Sequence, residues 1–164
     1  MRVLVIDDEA PIRLLCRLNL EEEGIDVLEA EGFALTVVPV RRNGVVDPEA
    51  IAEAMGDDVA LVSVMAVNNE TGVIQPVAEI GAIAKQAGAV FHVDAVQAPG
   101  RIAISVDGWQ ADLVSIAAHK FHGVLGAAAL FVRRRTRLEP LVRGGQHERG
   151  LRAGTESRFS WSKQ

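Results

Sequence analysis

Two stretches of this sequence, Phe91–Gln97 (FHVDAVQ) and Leu113–Phe121 (LVSIAAHKF), decide the fold. Each begins with apolar and β-branched residues and ends in polar side chains, a pattern typical of buried parallel strands that present functional groups at their carboxyl ends. Because those ends meet at one edge of a sheet, we expect the polar side chains that follow them to share one crevice. These side chains belong to Asp94, Gln97, His119 and Lys120.

Strand and helix signals alternate through the middle of the chain. The predicted elements are helices over 47–55 and 76–88 and strands over 59–67, 90–96 and 113–118. This alternation predicts a doubly wound α/β domain. The apolar run Gly126–Val132 follows the last of these strands by a connection too short for a parallel crossover, so we expect it to be antiparallel.

Composition favours a globular protein. Of the 164 residues, 49% are hydrophobic, so one domain can bury a substantial core. The net charge of −5 argues against a nucleic-acid partner, and the basic run Arg133–Arg135 is interpreted as a solvated strand edge. No apolar run reaches membrane-spanning length, and the single cysteine, Cys16, excludes an internal disulfide. We therefore predict a cytoplasmic protein with no membrane partner.

Residues 30 to 157 resemble the cysteine desulfurases, a branch of the fold-type I enzymes that use pyridoxal 5′-phosphate (PLP). Besides the two stretches quoted above, the resemblance rests on the segments GFALTVVPV (32–40), VVDPEA (45–50), LVSVMAVNNETGVIQP (61–76) and GGQHERGLRAGT (144–155). A match of that length is specific to the family.

The resemblance implies that five side chains belong to a PLP site. Lys120 matches the Schiff-base lysine, Asp94 matches the carboxylate that pairs with the pyridinium nitrogen, and His119 matches a phosphate-side ligand. Asn69 and Gln97 resemble the groups that hydrogen-bond the phenolic oxygen of the cofactor.

The chain also departs from the desulfurase pattern. Ala117 stands where the family has a phosphate-contacting serine, and Ala10 falls where the family has the histidine that stacks on the ring. The segment FHGVLG (121–126) replaces the usual FYGPKG. The earlier phosphate-binding loop and the later segment with the nucleophilic cysteine are not found, and Cys16 does not match that cysteine. Thr155 resembles a phosphate ligand that the family donates across its dimer interface.

These departures lead to an expectation about activity. Losing a ring stack and several hydrogen bonds, at about 1 to 3 kcal/mol each, would lower cofactor affinity by orders of magnitude. We therefore expect no active catalytic residue, a vestigial Lys120 and no bound cofactor. PLP binding at low affinity, with Lys120 as the Schiff-base lysine, stays open as an alternative.

Residues 1 to 30 resemble a different family, the response-regulator receiver domains. An apolar strand ends at the acidic pair Asp7 and Asp8, and a helix with apolar spacing runs from Pro11 to Gly24. The resemblance implies that Asp7 and Asp8 bind Mg²⁺, although the next central strand carries no acid to accept a phosphoryl group. The pair is interpreted either as a solvated strand end or as a low-affinity Mg²⁺ site.

Both resemblances imply parallel strands in the order 2-1-3-4-5, so their fragments could share one sheet. We therefore interpret the chain as an engineered chimera without native catalytic activity, and a degraded natural gene is the alternative origin. It would form one domain over 1–157, receiver-like over 1–30 and desulfurase-like over 31–157, with a tail over 158–164. The predicted fold is a three-layer, doubly wound α/β domain with a mainly parallel, flavodoxin-like sheet and an added antiparallel edge strand.

Two structural questions follow from this interpretation. The second strand is specified twice, by Ile25–Ala30 and by Phe33–Val40, and a hairpin turn at Glu31-Gly32 is the preferred solution. The antiparallel strand would leave an exposed edge, because its neighbour in the full family fold is missing. The backbone donors of that edge need covering by the C-terminal segment, by a tail swap or by a homodimer contact.

Overall fold

The computed structural model describes residues 2–6, 34–139 and 144–154. In chain order the strands and helices are β1 (Arg2–Ile6), β2 (Ala34–Val37), α1 (Pro48–Ala54), β3 (Val59–Met65), α2 (Val77–Ala87), β4 (Val90–Asp94), β5 (Leu113–Ala117) and β6 (Ala128–Val132). Two 3₁₀ turns, Ala118–Phe121 and His147–Gly150, complete the described elements.

The six described strands form one sheet in the order β2-β1-β3-β4-β5-β6. The first five are parallel, and β6 pairs antiparallel with β5. This arrangement confirms the predicted order 2-1-3-4-5 with an added antiparallel edge strand. The connection from β5 to β6 is short, and it allows a reversal of direction but no crossover helix.

Local signals set the ends of both helices. Pro48 opens α1, and the Asp47 side chain caps it by accepting a hydrogen bond from the Glu49 amide at 3.1 Å. The Arg41 guanidinium beside Asp47 holds the pKa of that carboxyl below its usual value. At the C-terminal end of α2, Gly88 takes a left-handed conformation with φ 74°.

The main core lies between the sheet and these two helices. α1 packs against α2, and α2 packs against β4, so both helices cover the same face of the sheet. The largest fully buried side chains are Val46, Ile51, Val62, Val64, Ile80, Phe91 and Val93. The helix predicted over Pro11 to Gly24, which would cover the opposite face, lies outside the described residues.

The doubly specified second strand is described in part. Ala34–Val37 pairs in parallel with β1, which places the desulfurase-like segment in the sheet next to the first strand. The competing segment, Ile25–Ala30, and the hairpin turn at Glu31-Gly32 lie outside the described residues, as does the tail over 158–164. The division of the chain into domains stays a prediction.

The basic run is anchored at one residue. Arg133 donates hydrogen bonds to the carbonyl oxygens of Val106 and Ala111, both at 2.8 Å, and forms an ion pair with Asp107 at 2.9 Å. These contacts fasten the end of β6 to the loop that precedes β5. Arg133 therefore has a structural role, and Arg134 and Arg135 are exposed, as expected for a solvated edge.

Strand β6 lies at the edge of the sheet, and its described pairing is with β5. Leu130 and Phe131 are consecutive and leave opposite faces, and they remain 44% and 38% exposed. This apolar edge is consistent with the expected homodimer contact, which stays a prediction.

The longest helix in the described ranges, α2, has 11 residues. A helix needs about 20 residues to cross a bilayer. No helix in this part of the chain could therefore span a membrane.

A glycine sets how closely α2 approaches the loop before β5. A Cβ added at Gly81 would lie 2.0 Å from the Trp109 carbonyl oxygen and 2.9 Å from the Phe91 ring. Gly to Ala normally stabilises a helix interior. Here we expect Gly81→Ala to lower the free energy of unfolding by about 2 kcal/mol because the backbone must shift, as urea denaturation would measure. The matched variant Ala82→Gly, on the exposed side of α2, should cost only about 1 kcal/mol. A stabilised Gly81→Ala protein would contradict the close contact.

Candidate cofactor-binding site

The carboxyl ends of β3, β4 and β5 form the edge at which the predicted residues gather. Asp94 is the last residue of β4, and Gln97 follows it by three positions. His119 and Lys120 lie in the 3₁₀ turn that follows β5 directly, and Asn69 lies in the loop after β3. Because the three strands are parallel neighbours, all five residues lie at the same edge of the sheet.

Asp94 is half-buried and held by the backbone around it. One of its carboxylate oxygens accepts a hydrogen bond from the Val96 amide at 2.9 Å. Its register partners on the neighbouring strands are Met65 and Ser115. Within the described ranges no ion pair reaches this carboxylate. The Asp94 carboxylate is therefore left available to a cationic group that enters the crevice.

Lys120 is presented by a short, tightly closed turn. The turn runs from Ala118 to Phe121 and is capped by His122, which takes a left-handed conformation with φ 66°. The Gly123 amide closes it by donating to the Ala118 carbonyl oxygen at 2.8 Å. His119 and Lys120 are both exposed on this turn, and no ion pair within residues 34–139 and 144–154 involves Lys120. The amine is therefore accessible from solvent.

The loop that carries Asn69 is organised by its neighbour, Asn68. The buried Asn68 side chain accepts hydrogen bonds from the amides of Glu70 and Thr71 at 2.9 and 2.6 Å, and from the Thr71 hydroxyl at 2.9 Å. These contacts fix the turn on which Asn69 is exposed. Sequence reasoning missed Asn68, although an asparagine followed at three positions by threonine is a signal for such a turn.

Gln75 joins two loops that are distant in sequence. Its side-chain oxygen accepts from the Val46 amide at 2.9 Å, and its nitrogen donates to the Gly44 carbonyl oxygen at 2.7 Å. The sequence analysis did not single out this buried residue. Its contacts hold the loop before α1 against the start of α2.

Gln97 has a fixed amide orientation. Arg101 donates from one nitrogen to the Gln97 backbone oxygen and to its side-chain oxygen, both at 3.0 Å. Since arginine has donors only, the side-chain atom that faces it must be the oxygen. The amide nitrogen of Gln97 is therefore left to donate elsewhere. Arg101 was not predicted from the sequence.

Three polar side chains, those of Ser63, His92 and Ser115, form a row on the sheet face opposite the one that α1 and α2 cover. The two ring nitrogens of His92 are each 2.8 Å from a serine oxygen, Nδ1 from Ser63 and Nε2 from Ser115. Burial lowers the pKa of His92, and the nearby charge of Asp94 opposes that change by a smaller amount. The three residues were missed, although Ser63 and His92 are polar residues inside apolar strands.

Several predicted features lie outside the described residues. These are Asp7 and Asp8, the receiver-like metal pair, together with Ala10, Cys16 and Thr155. Among the residues that the structure describes, no group of three His, Cys, Asp or Glu side chains could hold a metal ion. Ala117, where the resemblance led us to expect a serine, is buried at the end of β5.

Comparison with known proteins identifies relatives of most of the chain. The sequence model of the family described as Aminotransferase class-V matches residues 25–161. A mitochondrial cysteine desulfurase of Arabidopsis thaliana is 53% identical over 130 residues, which cover 78% of this chain and 29% of that protein. The cysteine desulfurase IscS of Anaeromyxobacter dehalogenans is 50% identical over 135 residues, covering 81% of this chain and 33% of the relative. The chain thus spans about a third of the length of these curated relatives.

Solved structures of related proteins superpose on nearly the whole of this chain. A NifS-like protein superposes with a TM-score of 0.82 at 37% identity, covering 97% of this chain and 42% of that chain. A structure described as SspA in complex with cysteine has a TM-score of 0.82 at 33% identity, covering 94% of this chain and 43% of the other.

These findings correct the interpretation of the chain as an engineered chimera without native activity. The family match begins at residue 25, the NifS-like structure covers nearly the whole chain, and nothing supports a receiver domain or an engineered origin. The error has a physical reason. A buried strand that ends in acids and leads into an amphipathic helix is common to unrelated doubly wound α/β folds, so the pattern over Arg2 to Gly24 carries little family-specific information.

The expectation that no cofactor binds is also wrong for this family. Its relatives are cysteine desulfurases, and cysteine desulfurases use PLP. The departures at Ala117 and Phe121–Gly126 were weighed as lost contacts, but relatives at about 50% identity belong to a family that uses this cofactor. A Mg²⁺ site at Asp7 and Asp8 has lost its basis with the receiver resemblance. The cytoplasmic location stays a prediction, since the relatives include both bacterial and mitochondrial proteins.

The polar row predicts a pH dependence of stability. Because the fold lowers the pKa of His92 below its ordinary value of 6.5, the unfolded chain binds more protons once the pH falls below that value. We expect the His92 contribution to the free energy of unfolding to decrease as the pH falls from 7.5 to 5.5, measured by urea denaturation. His92→Gln cannot titrate, so its curve should be flatter over this range. Parallel curves for the two proteins would show that His92 is not held neutral.

Proposed function

Because this chain belongs to the class-V aminotransferase family, we propose that it forms the PLP-binding part of a cysteine desulfurase, with Lys120 as the covalent attachment point. The bound cofactor would take part in the removal of sulfur from cysteine. The proposal follows the relatives at about 50% identity, which are cysteine desulfurases.

One observation carries the proposal. Asp94 ends β4 and Lys120 follows β5, and these are neighbouring parallel strands. A carboxylate and an amine at adjacent strand ends can approach one flat ligand from different sides, the carboxylate at the ring and the amine at an aldehyde. Neither group is used in an ion pair within the described ranges, so the donor set fits this cofactor.

Each side chain would have a separate task. The Asp94 carboxylate would keep the ring nitrogen protonated, since a negative charge nearby favours the cationic form. The Gln97 amide nitrogen, turned away from Arg101, and Asn69 would donate to the phenolic oxygen. His119 would contact the phosphate side. When bound, PLP supplies an electron-withdrawing ring that stabilises negative charge on the carbon beside the substrate amine.

Cofactor attachment can be tested at the lysines. Lys85 is exposed on α2 and provides an internal reference for unspecific labelling. After incubation with PLP and borohydride reduction, we expect peptide mass spectrometry to find Lys120 labelled about tenfold faster than Lys85, because the neighbouring site orients the aldehyde. Lys120→Arg should remove the selective label and leave that on Lys85. Equal rates at the two lysines would contradict the proposed function.

The orientation of Gln97 gives a second test. Arg101→Ala frees the amide to rotate, so we expect PLP affinity to fall by about fivefold, which corresponds to one hydrogen bond of about 1 kcal/mol. Arg101→Lys retains a donor and should recover part of the loss. Arg134→Ala removes an exposed arginine elsewhere and is the matched control. Fluorescence titration would give the PLP dissociation constant of each variant. Identical constants for the Arg101→Ala and unaltered chains would exclude the role of Arg101.

A further inference from the structure

Three polar side chains form a hydrogen-bonded row across the centre of the sheet. Ser63, His92 and Ser115 lie on the neighbouring strands β3, β4 and β5, and each serine oxygen is 2.8 Å from one ring nitrogen of His92. A neutral imidazole has one donor and one acceptor nitrogen, so two hydroxyls satisfy it. The row is therefore a complete network without a charge, in a half-buried place where a charge would lose solvation.

This row lies beside Asp94 in the sheet, with His92 two positions before it on β4 and Ser115 level with it on β5. His92 and Asp94 are two positions apart on β4, so their side chains leave the same face. Asp94 is also the register partner of Ser115. The Asp94 carbonyl oxygen accepts from the Ala66 amide at 2.8 Å, and the next amide, of Ala95, donates to the Ser115 carbonyl oxygen at 3.0 Å. The side chains of the row and the backbone at Asp94 both tie β4 to β3 and β5, so a change in the row that alters the spacing of these strands would also move Asp94.

The charge of His92 decides what Asp94 can bind. The other same-face neighbours of His92 on β3 and β5, which are Leu61, Met65 and Leu113, carry no charge. Asp94 is the ionisable group on the same face of β4 itself. A cationic imidazole would pair with Asp94 inside the protein. A neutral imidazole leaves the carboxylate to a cationic group that enters the crevice.

We propose that the Ser63–His92–Ser115 row positions Asp94 and keeps its negative charge available to the ring nitrogen of the cofactor. This inference rests on the proposed function, because it requires Asp94 to meet that nitrogen. His92 is a positioning residue in this scheme, acting through Asp94.

The test compares two ligands on the 164-residue chain. One ligand is PLP, and the other is its deaza analogue, in which carbon replaces the ring nitrogen. Fluorescence titration would give both dissociation constants for Ser63→Ala, Ser115→Ala and His92→Leu. We expect His92→Leu to weaken PLP binding by about tenfold and the serine variants to weaken it less, each losing one hydrogen bond. Binding of the analogue should change by less than about twofold, since it offers Asp94 no nitrogen.

Two control variants and one spectroscopic readout accompany the comparison. Ser105→Ala removes a hydroxyl that accepts from the Gly108 amide at 3.0 Å in the loop before β5, and it should leave both dissociation constants unchanged. Asp94→Asn, like His92→Leu, should weaken the binding of PLP more than the binding of the analogue. Adding His92→Leu to Asp94→Asn should cause no further loss of PLP affinity. Nitrogen NMR of the ligand-free chain at pH 7 should show His92 with one protonated nitrogen.

The outcomes separate this inference from the function on which it rests. An equal loss of affinity for both ligands, or a doubly protonated His92, would overturn the positioning role and leave PLP binding intact. An unaltered chain that neither binds PLP nor labels Lys120 would overturn the proposed function and this inference with it. If circular dichroism shows His92→Leu to be unfolded, the serine variants decide, because they leave the imidazole in place.

Discussion

Parallel pairing of β3, β4 and β5 is the constraint on which the rest of this structure depends. Parallel neighbours bring their carboxyl ends to one edge, so segments separated by dozens of residues deliver side chains to the same place. Asn69, Asp94 and Lys120 come from three such segments. The loops at this edge then need only fix local orientation, as Asn68 does for its own turn. The chemistry of the site is thus divided between a rigid sheet and short, hydrogen-bonded connections.

The sheet also carries two different faces. Toward α1 and α2 it presents tightly packed aliphatic and aromatic side chains such as Val64, Phe91 and Val93. On the other face it carries the hydroxyls of Ser63 and Ser115 with the imidazole between them. Alternation along each strand produces this division, because residues two apart share a face. One set of strands can therefore build a dry core and a polar row one residue away from each other.

The sequence predicted the features that depend on a few neighbouring residues. Pro48 and Gly88 mark helix ends in the sequence and in the structure, because capping involves only a few neighbouring residues. The polar residues that end β4 and follow β5 were expected at one edge of the sheet, and the structure places Asp94 and Lys120 there. What the sequence did not predict depends on register: that His92 meets Ser63 and Ser115, or that Arg133 reaches Val106, follows only from how strands align. The chimera hypothesis failed because a strand followed by a helix is common to unrelated folds.

Gln75 has a consequence for how the chain assembles. Its side chain contacts the backbone of Gly44 and Val46, which lie 31 and 29 residues earlier, and it is buried. Neither of the two loops can reach its final conformation alone, since each completes the hydrogen bonding of the other. The folding of α1 and the folding of α2 are thereby coupled into one cooperative unit. Opening either loop would expose both, so the Val46 amide should exchange its hydrogen only when that whole unit opens.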